Sequence, residues 1–214
     1  MYNSELGIMR YFNEKKFLVS ANAYYMLLHN YIARGDFEMN GKNTLVYDGV
    51  TATTMANINN KNAYITGGTF SFQGTLSNHF KTNGSITYTK GKSYDKKLPL
   101  SSVPPLFGNL EVSYNFNKLQ TSLNYRFNAA KKLSDYNLEE GIDNIEQTPF
   151  VAETGNYYGT PRWSTLNLNT NYQFSDKVSI SFRIDNIFDI HYKEFASSIS
   201  SPGRNYVCSA LLKL

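Results

Sequence analysis

Two stretches near the C-terminal end of the chain alternate apolar and polar side chains with a period of two residues. They cover residues 161–174 and 177–188, meet at a short turn, and are followed by a third alternating stretch over 203–214. A period of two places alternate side chains on opposite faces of a β-strand. Strands of about ten residues are long enough to cross a bilayer at a tilt. The pattern therefore predicts a membrane barrel rather than a soluble enzyme.

The composition fits a barrel with a polar lumen. Aromatic residues make up 15% of the chain, with 17 Tyr and 14 Phe, whereas charged residues make up 18%. A disordered chain lacks such aromatic content, and a soluble globular domain carries more aliphatic residues and more charge. Aromatic girdles around a polar lumen account for both features. The alternative is a soluble β-sandwich or lipocalin-like barrel whose apolar side chains form a dry core.

Charge and cysteine content exclude several kinds of partner. The net charge is +4, and Lys and Arg are scattered through turns and loops, so nucleic acid is not an expected partner. Cys208 is the sole cysteine, which excludes an intrachain disulfide and a thiolate metal cage. Its parity predicts a small side chain on the apolar face of the last strand.

The start of the chain carries no export signal. No apolar run reaches the length of about eighteen residues that a transmembrane helix needs. Met1 is followed by Tyr-Asn-Ser-Glu, without the basic start and apolar core of a signal peptide. For a membrane barrel, we therefore expect this chain to be a piece of a longer gene product.

The alternation predicts an all-β fold of nine antiparallel strands. Their ranges are 4–12, 16–32, 62–76, 80–90, 106–116, 119–128, 161–174, 177–188 and 203–214. Short turns alternate with long loops, as in outer-membrane barrels with periplasmic turns and extracellular loops. Such barrels have even strand numbers and leave no open edge in lipid. Nine strands therefore predict the C-terminal part of a larger barrel.

Two irregularities lie inside the predicted strands. Arg10 shares the apolar parity of its neighbours, which we interpret as a bulge or a frayed start of the first strand. Gly67 and Gly68 lie inside the third strand, where we expect them to ease a bend.

Four short motifs, in their order and spacing, carry a family resemblance. They are Val103-Pro104-Pro105-x-x-Gly108, Pro161-Arg162-Trp163-x-x-Leu166-Asn167-Leu168, Asp185-Asn186-Ile187-Phe188-Asp189 with Tyr192, and Pro202-Gly203-Arg204-Asn205. With these motifs the chain resembles the C-terminal barrel half of TonB-dependent outer-membrane receptors, in particular those of the Bacteroidetes type. Residues 1–214 would then be a partial receptor barrel without the plug domain, the TonB box or the signal peptide.

The resemblance implies a barrel of about 22 strands in the bacterial outer membrane, occluded by an N-terminal plug. The implied function is active uptake of a scarce nutrient such as siderophore-bound iron, haem, cobalamin or a glycan. The implied partners are outer-membrane lipid, the TonB–ExbB–ExbD complex acting through the plug, and the barrel assembly machinery. That machinery reads a C-terminal aromatic residue in the family, and here Leu214 would have to serve as the assembly signal.

No catalytic residue, metal or cofactor is expected. The three histidines show none of the spacings of a zinc motif: His29, His79 and His191. Neither a G-x-S-x-G motif nor a phosphate-binding glycine loop occurs. Arg183 and Asp185 are interpreted as a wall salt bridge rather than an acid–base pair. The acidic stretch Glu139-Glu140-x-x-Asp143 is interpreted as a solvated loop.

Ligand binding is expected on the outer loops and at the upper strand ends. Aromatic and arginine side chains there suit aryl, sugar or anionic chelate ligands. The candidates are Arg34, Tyr157, Tyr158, Arg162, Trp163, Tyr192 and Arg204. For Trp163 and Tyr192 we favour the interfacial aromatic girdle. For Arg204 the alternative is a structural pair within the turn at Pro202-Gly203.

Two other classes of function stay open. One is a passive porin or structural barrel, which would have no plug domain encoded upstream. The other is a soluble, secreted β-barrel binding protein, whose solubility would not depend on detergent.

Overall fold

The computed structural model describes residues 1–60 and 62–213, which are mainly β-strand. In chain order the strands are β1 (Tyr2–Phe12), β2 (Phe17–His29), β3 (Ile32–Asp36), β4 (Thr44–Tyr47), β5 (Val50–Thr53), β6 (Met55–Asn59), β7 (Asn62–Thr75), β8 (Phe80–Ser93), β9 (Phe107–Phe116), β10 (Leu119–Asn128), β11 (Lys131–Lys132), β12 (Phe150–Val151), β13 (Asn156–Tyr157), β14 (Gly159–Thr160), β15 (Trp163–Gln173), β16 (Val178–Asp185) and β17 (Asn205–Leu212). Two 3₁₀ turns cover Leu133–Asp135 and Ile145–Gln147. In the described residues, no helix has the length and apolar character to cross a membrane.

Nine of the strands form one antiparallel sheet in the order β1-β2-β7-β8-β9-β10-β15-β16-β17. Each strand of this sheet, which we name the wall, pairs with the wall strands that come before and after it along the chain. The connections therefore alternate between the two ends of the sheet. Short turns join β1–β2, β7–β8, β9–β10 and β15–β16 at one end, and the long connections lie at the other. The predicted all-β class, the nine strands and the separation of turns from loops are confirmed.

The two faces of the sheet carry different kinds of side chain across its whole width. Leu123 lies opposite Val112 on one neighbouring strand and opposite Leu168 on the other. One residue along, Asn124 lies opposite Glu111. Because directly paired residues share a face, aliphatic and aromatic side chains collect on what we name the apolar face. Hydroxyl, amide and charged side chains collect on the polar face.

The apolar face is exposed. Leu6 is 78% exposed and Leu212 is 64% exposed. Cys208 is also exposed and pairs with Phe182 of this face, which confirms its predicted parity. Buried apolar residues in the described chain are few: Ala33, Ala63, Leu100 and Tyr136. A continuous exposed apolar surface requires an apolar medium or a partner to cover it.

Polar side chains bond to one another across the polar face. Ser85 Oγ donates to Asn109 Oδ1 at 2.7 Å. Arg183 Nε donates to Asp185 Oδ2 at 3.1 Å, which confirms the predicted wall salt bridge. These bonds pair polar groups of neighbouring positions with one another along the polar face.

Several elements differ from their predicted bounds. β2 ends at His29 because Asn30 adopts a φ of 51°, a left-handed conformation that stops the ladder. The long connection predicted between the second and third strands instead holds two hairpins, β3 with β6 and β4 with β5. β8 continues past residue 90 to Ser93, and β16 stops at Asp185 because Asn186 has a φ of 50°.

Arg10 lies in a regular strand. β1 and β2 pair one-to-one along their whole length, with Arg10 opposite Val19. The guanidinium carbon of Arg10 lies 5.1 Å from the centre of the Phe12 ring, beside the first short turn. A long side chain near a strand end can pack its stem on apolar surface and reach water with its charge. The predicted bulge or frayed start is therefore wrong.

Gly67 provides space for an aromatic ring. In register it lies between Tyr24 and Thr89, whose hydroxyl groups are hydrogen-bonded at 2.6 Å. A Cβ at Gly67 would lie 2.5 Å from the Tyr24 hydroxyl oxygen. The absence of a side chain therefore lets the Tyr24 ring cross β7. Gly67 thus makes room for a ring, whereas we expected it to ease a bend in the strand.

We predict that Gly67→Val lowers the free energy of unfolding by about 1–3 kcal/mol, because the new side chain displaces the Tyr24 ring. Gly7→Val is the matched control, since nothing lies within 4 Å of a Cβ built at Gly7. Urea unfolding of the whole receptor refolded in detergent measures both variants. Equal stability of the two would contradict this account of Gly67.

Candidate functional site

The two longest C-terminal connections pack against each other above the sheet. They join β10 to β15 and β16 to β17. Asn144 Nδ2 in the first donates to the carbonyl of Ala196 in the second at 2.7 Å. Lys193 Nζ in the second donates to the carbonyl of Gln147 in the first at 3.2 Å. A cavity of about 320 Å³, which we name the aromatic cavity, lies between them.

Asn186 holds the connection from β16 to β17 in place. Its side-chain Nδ2 donates to the carbonyl of Ile190 at 2.9 Å, and its Oδ1 accepts from Ile190 N at 3.0 Å. Its backbone N–H donates to Asn167 Oδ1 at 2.8 Å. Nearby, Asp189 Oδ1 accepts from the backbone N–H of Arg204 at 2.7 Å. The sequence motif around residues 185–189 therefore orders the loop that forms one wall of the cavity.

Trp163 forms the floor of the aromatic cavity. Its ring lies 4.3 Å from that of Tyr192, and the Arg126 guanidinium carbon lies 5.8 Å from the indole. Arg126 in turn pairs with Glu194 at 3.4 Å. Trp163 pairs with Asn128 of the polar face. It also lies three residues before Leu166 of the apolar face, so its side chain points to the other side of the sheet. The interfacial girdle that we favoured for Trp163 is therefore wrong.

The Trp163 indole also offers a hydrogen-bond donor. Its Nε1 atom is buried, and no acceptor within residues 1–60 and 62–213 is in hydrogen-bonding range. A buried donor without an acceptor costs about 1–3 kcal/mol, so an acceptor brought by a ligand or by water would be favoured here.

A buried ion pair stabilises the connections that form the aromatic cavity. Lys131 Nζ lies 3.4 Å from Asp143 Oδ2, and both side chains are almost fully buried. Lys131 also donates to the carbonyl of Val103 at 2.7 Å, and Asp143 accepts from the backbone N–H of Ser102 at 2.8 Å. The ammonium lies 4.0 Å from the centre of the Phe195 ring. One ion pair therefore joins three of the long connections.

Burial lowers the pKa of the Lys131 ammonium, and the charge of Asp143 opposes that shift. The acidic stretch is also less solvated than expected. Glu139 is exposed and pairs with exposed Lys96 at 2.5 Å, whereas Glu140 and Asp143 are buried. The interpretation of a wholly solvated acidic loop is wrong for these two residues.

The predicted binding residues are not all brought together. Arg162 and Trp163 line the aromatic cavity with Tyr192, and the structure adds His191, Lys193 and Glu194 to its walls. Tyr157 instead packs on Phe150, with ring centres 5.5 Å apart, and Tyr158 is 55% exposed. Arg34 lies in the β3–β6 hairpin. The Arg204 guanidinium bonds to the Tyr206 hydroxyl at 3.4 Å, while Leu214 lies outside the described residues.

The electrostatics of the cavity favour an anion. Asp143 is compensated by Lys131, and Glu194 is paired with Arg126. Arg162 and Lys193 also line the cavity, and in the described chain neither has a carboxylate within 4.0 Å. The cavity therefore combines an excess of positive charge with stacked aromatic rings, which suits an anionic aryl group.

A family model described as TonB dependent receptor-like, beta-barrel matches residues 2–187. The chain belongs to this family of TonB-dependent receptor barrels. The family comprises transport receptors rather than enzymes. In the described residues, no three His, Cys, Asp or Glu side chains gather into a metal-binding group.

A named relative is similar to the chain in sequence, and two solved structures share its fold. The chain is 28% identical over 195 residues to the probable TonB-dependent siderophore receptor PirA of Acinetobacter baumannii, covering 80% of this chain and 24% of the relative. The solved structure of PirA from that organism has a TM-score of 0.70 at 22% identity, and that of the copper transporter OprC has 0.74 at 18%. Each match covers 98% of this chain, with 31% of PirA and 30% of OprC. The chain thus spans about a quarter of the curated relative.

We predict that Lys131→Met loosens the long connections, because it leaves the Asp143 carboxylate buried without its cation. Breaking a buried pair from one side costs about 3–5 kcal/mol. Hydrogen exchange followed by mass spectrometry should show faster exchange over residues 133–161 and 98–106, with little change in the wall strands. The exposed neighbour Lys132 gives the control Lys132→Met, and equal exchange in both variants would contradict the role of the ion pair.

Proposed function

We propose that residues 1–214 form the C-terminal part of the barrel of an outer-membrane receptor. The exposed apolar face supports this proposal, because hydrocarbon is the medium that removes its side chains from water. The sheet edges support it too, since β1 and β17 each have a partner on one side only within the described chain. In a bilayer such edges need further strands to pair their backbone groups. The plug domain and the remaining strands would belong to the whole receptor.

The proposed transported ligand is iron held by an anionic siderophore. The aromatic cavity carries this part of the proposal, because Arg162, Lys193 and the Trp163–Tyr192 stack suit an acidic aryl arm. The cavity volume of about 320 Å³ suits one arm of a chelate rather than a whole ligand. The names of relatives support the same class, since PirA is named a siderophore receptor. Neutral glycans bring no anion for the two cations, and the haem and cobalamin macrocycles are larger than a cavity of about 320 Å³.

Uptake would use energy from the TonB–ExbB–ExbD complex, acting through the plug of the whole receptor. The barrel assembly machinery would insert the protein, with Leu214 as the terminal signal. A passive porin would need neither TonB nor a binding site of this kind, so dependence on TonB separates the two functions.

The test is iron uptake by the whole receptor in a bacterial strain without its own siderophore receptors. We predict TonB-dependent uptake of a radiolabelled ferric catecholate, and at least tenfold weaker binding by Arg162→Gln/Lys193→Gln, because two cations leave the cavity. Lys42→Gln/Lys132→Gln removes the same charge from exposed loop positions outside the cavity lining and should bind normally.

Uptake that persists without TonB would overturn active transport. Equal binding by both double variants would overturn the aromatic cavity as the site. Uptake of haem or a glycan in place of ferric catecholate would overturn the ligand class alone.

A further inference from the structure

The apolar face carries an unusual set of charges. Within the described residues of the nine-stranded sheet, the charged side chains that pair on the apolar face are Arg10, Lys90 and Lys92. No carboxylate shares this face at those positions, since Glu5, Glu111 and Asp185 fall on the polar parity. Arg10 lies at the end of the sheet with the short turns. Lys90 and Lys92 lie at the opposite end, beside the long connections.

The two lysines lie side by side near the end of β8. In register they follow Tyr88 and pair with Thr66 and Tyr64 of the apolar face. Ser93 ends the strand, so Lys90 lies within about 10 Å of its end at the rise of a β-strand. In the described chain, neither ammonium has a carboxylate within 4.0 Å. A lysine on the lipid face costs about 2–4 kcal/mol at the bilayer centre and little near the interface.

Tyrosines of the same face lie beside the lysine pair in register, since Tyr64 pairs with Lys92 and Tyr88 precedes Lys90 on β8. Tyr25 and Tyr94 share a hydrogen bond of 2.5 Å between their hydroxyl groups, and the Tyr64 ring lies 5.9 Å from Tyr25 and 5.5 Å from Tyr94. Tyr88 is 50% exposed beside them. Tyrosine is enriched at membrane interfaces because its ring is apolar and its hydroxyl is polar. The cluster therefore places Lys90 and Lys92 at headgroup depth.

A notch in the wall opens beside the lysines. β8 pairs with β9 only as far as Thr87, and beyond that its neighbours on this side come from the connection at 98–106. The resulting cavity of about 270 Å³ is lined by Lys90, Lys92 and Tyr88, and by Pro104, Pro105 and Leu106. Asp135 is the acidic residue of its lining, and Lys131 in the same lining is paired with Asp143. Asp95 follows the strand in the exposed loop.

We propose that this notch binds a phosphate-bearing headgroup of an outer-leaflet lipid. The ammonium groups of Lys90 and Lys92 donate to the phosphate oxygens, and the tyrosine hydroxyl groups border the sugar or glycerol portion. The proline and leucine side chains pack against the first carbons of the acyl chains. Basic groups beside a membrane attract anionic lipid in this way. The inference rests on the membrane placement in the proposed function and is independent of the transported ligand.

Native mass spectrometry of the whole receptor in detergent tests this site, with bis-phosphorylated lipid A as the probe. We expect Lys90→Gln/Lys92→Gln to weaken binding at least fivefold, and Lys90→Arg/Lys92→Arg to retain it. Lys42→Gln/Lys132→Gln removes two exposed lysines from the loops and should bind as the parent chain does. Heat-modifiable migration on a gel reports whether each variant keeps its barrel.

A second comparison uses only the receptor without substitutions, so it holds even where a variant misfolds. Lipid A without its phosphates should bind at least fivefold more weakly than the bis-phosphorylated form. Millimolar inorganic phosphate should fail to displace the lipid, which separates a lipid site from a free-phosphate site. Equal binding of both lipid forms, or an equal loss in the two glutamine double variants, would overturn the proposal. Neither result depends on iron uptake.

Discussion

Removal of every second side chain from water is the constraint on which this fold depends. Nine strands expose a continuous apolar face, and the described chain supplies almost no buried apolar residues of its own. Hydrogen bonding between strands satisfies the backbone, but it leaves the leucine, phenylalanine and tyrosine side chains of that face in contact with solvent. Since the hydrophobic effect is the main favourable term in folding, the stability of this sheet must come from its surroundings. The membrane thus takes the place of the interior that a soluble protein would build.

The long connections obey the opposite rule. They form a small interior of their own above the sheet, where Tyr136 and Leu100 are buried and Lys131 pairs with Asp143. Asn186 adds a hydrogen-bonded anchor at the base of the last connection. A binding cavity needs rigid walls, and these contacts supply them beside Trp163. The wall therefore depends on lipid and the site depends on local packing, so substitutions can separate assembly from binding.

The sequence predicts the wall well because the period of two is visible without any tertiary information. It predicts the strands, the face of Cys208 and the separation of turns from loops. The alternation also indicates that Trp163 lies on the face opposite to Leu166 and Leu168. The interpretation as an interfacial girdle residue followed from its being aromatic and was wrong. The sequence did not predict the Lys131–Asp143 ion pair, because the contact between these two side chains depends on how the long connection from β10 to β15 folds back on itself. The same holds for the hairpins within residues 32–59 and for the space that Gly67 provides.

The central claim is that the apolar face meets hydrocarbon, and Cys208 offers a direct measurement. A nitroxide attached to this cysteine, in the whole receptor reconstituted into lipid bilayers with any cysteine outside residues 1–214 replaced, reports collisions with dissolved oxygen and with a water-soluble nickel chelate. The control is Ser209→Cys in a Cys208→Ser background, because Ser209 pairs with Ser181 on the polar face. We predict high oxygen and low nickel accessibility at 208 and the reverse at 209. Equal accessibility at the two positions, or nickel access at 208, would contradict the account.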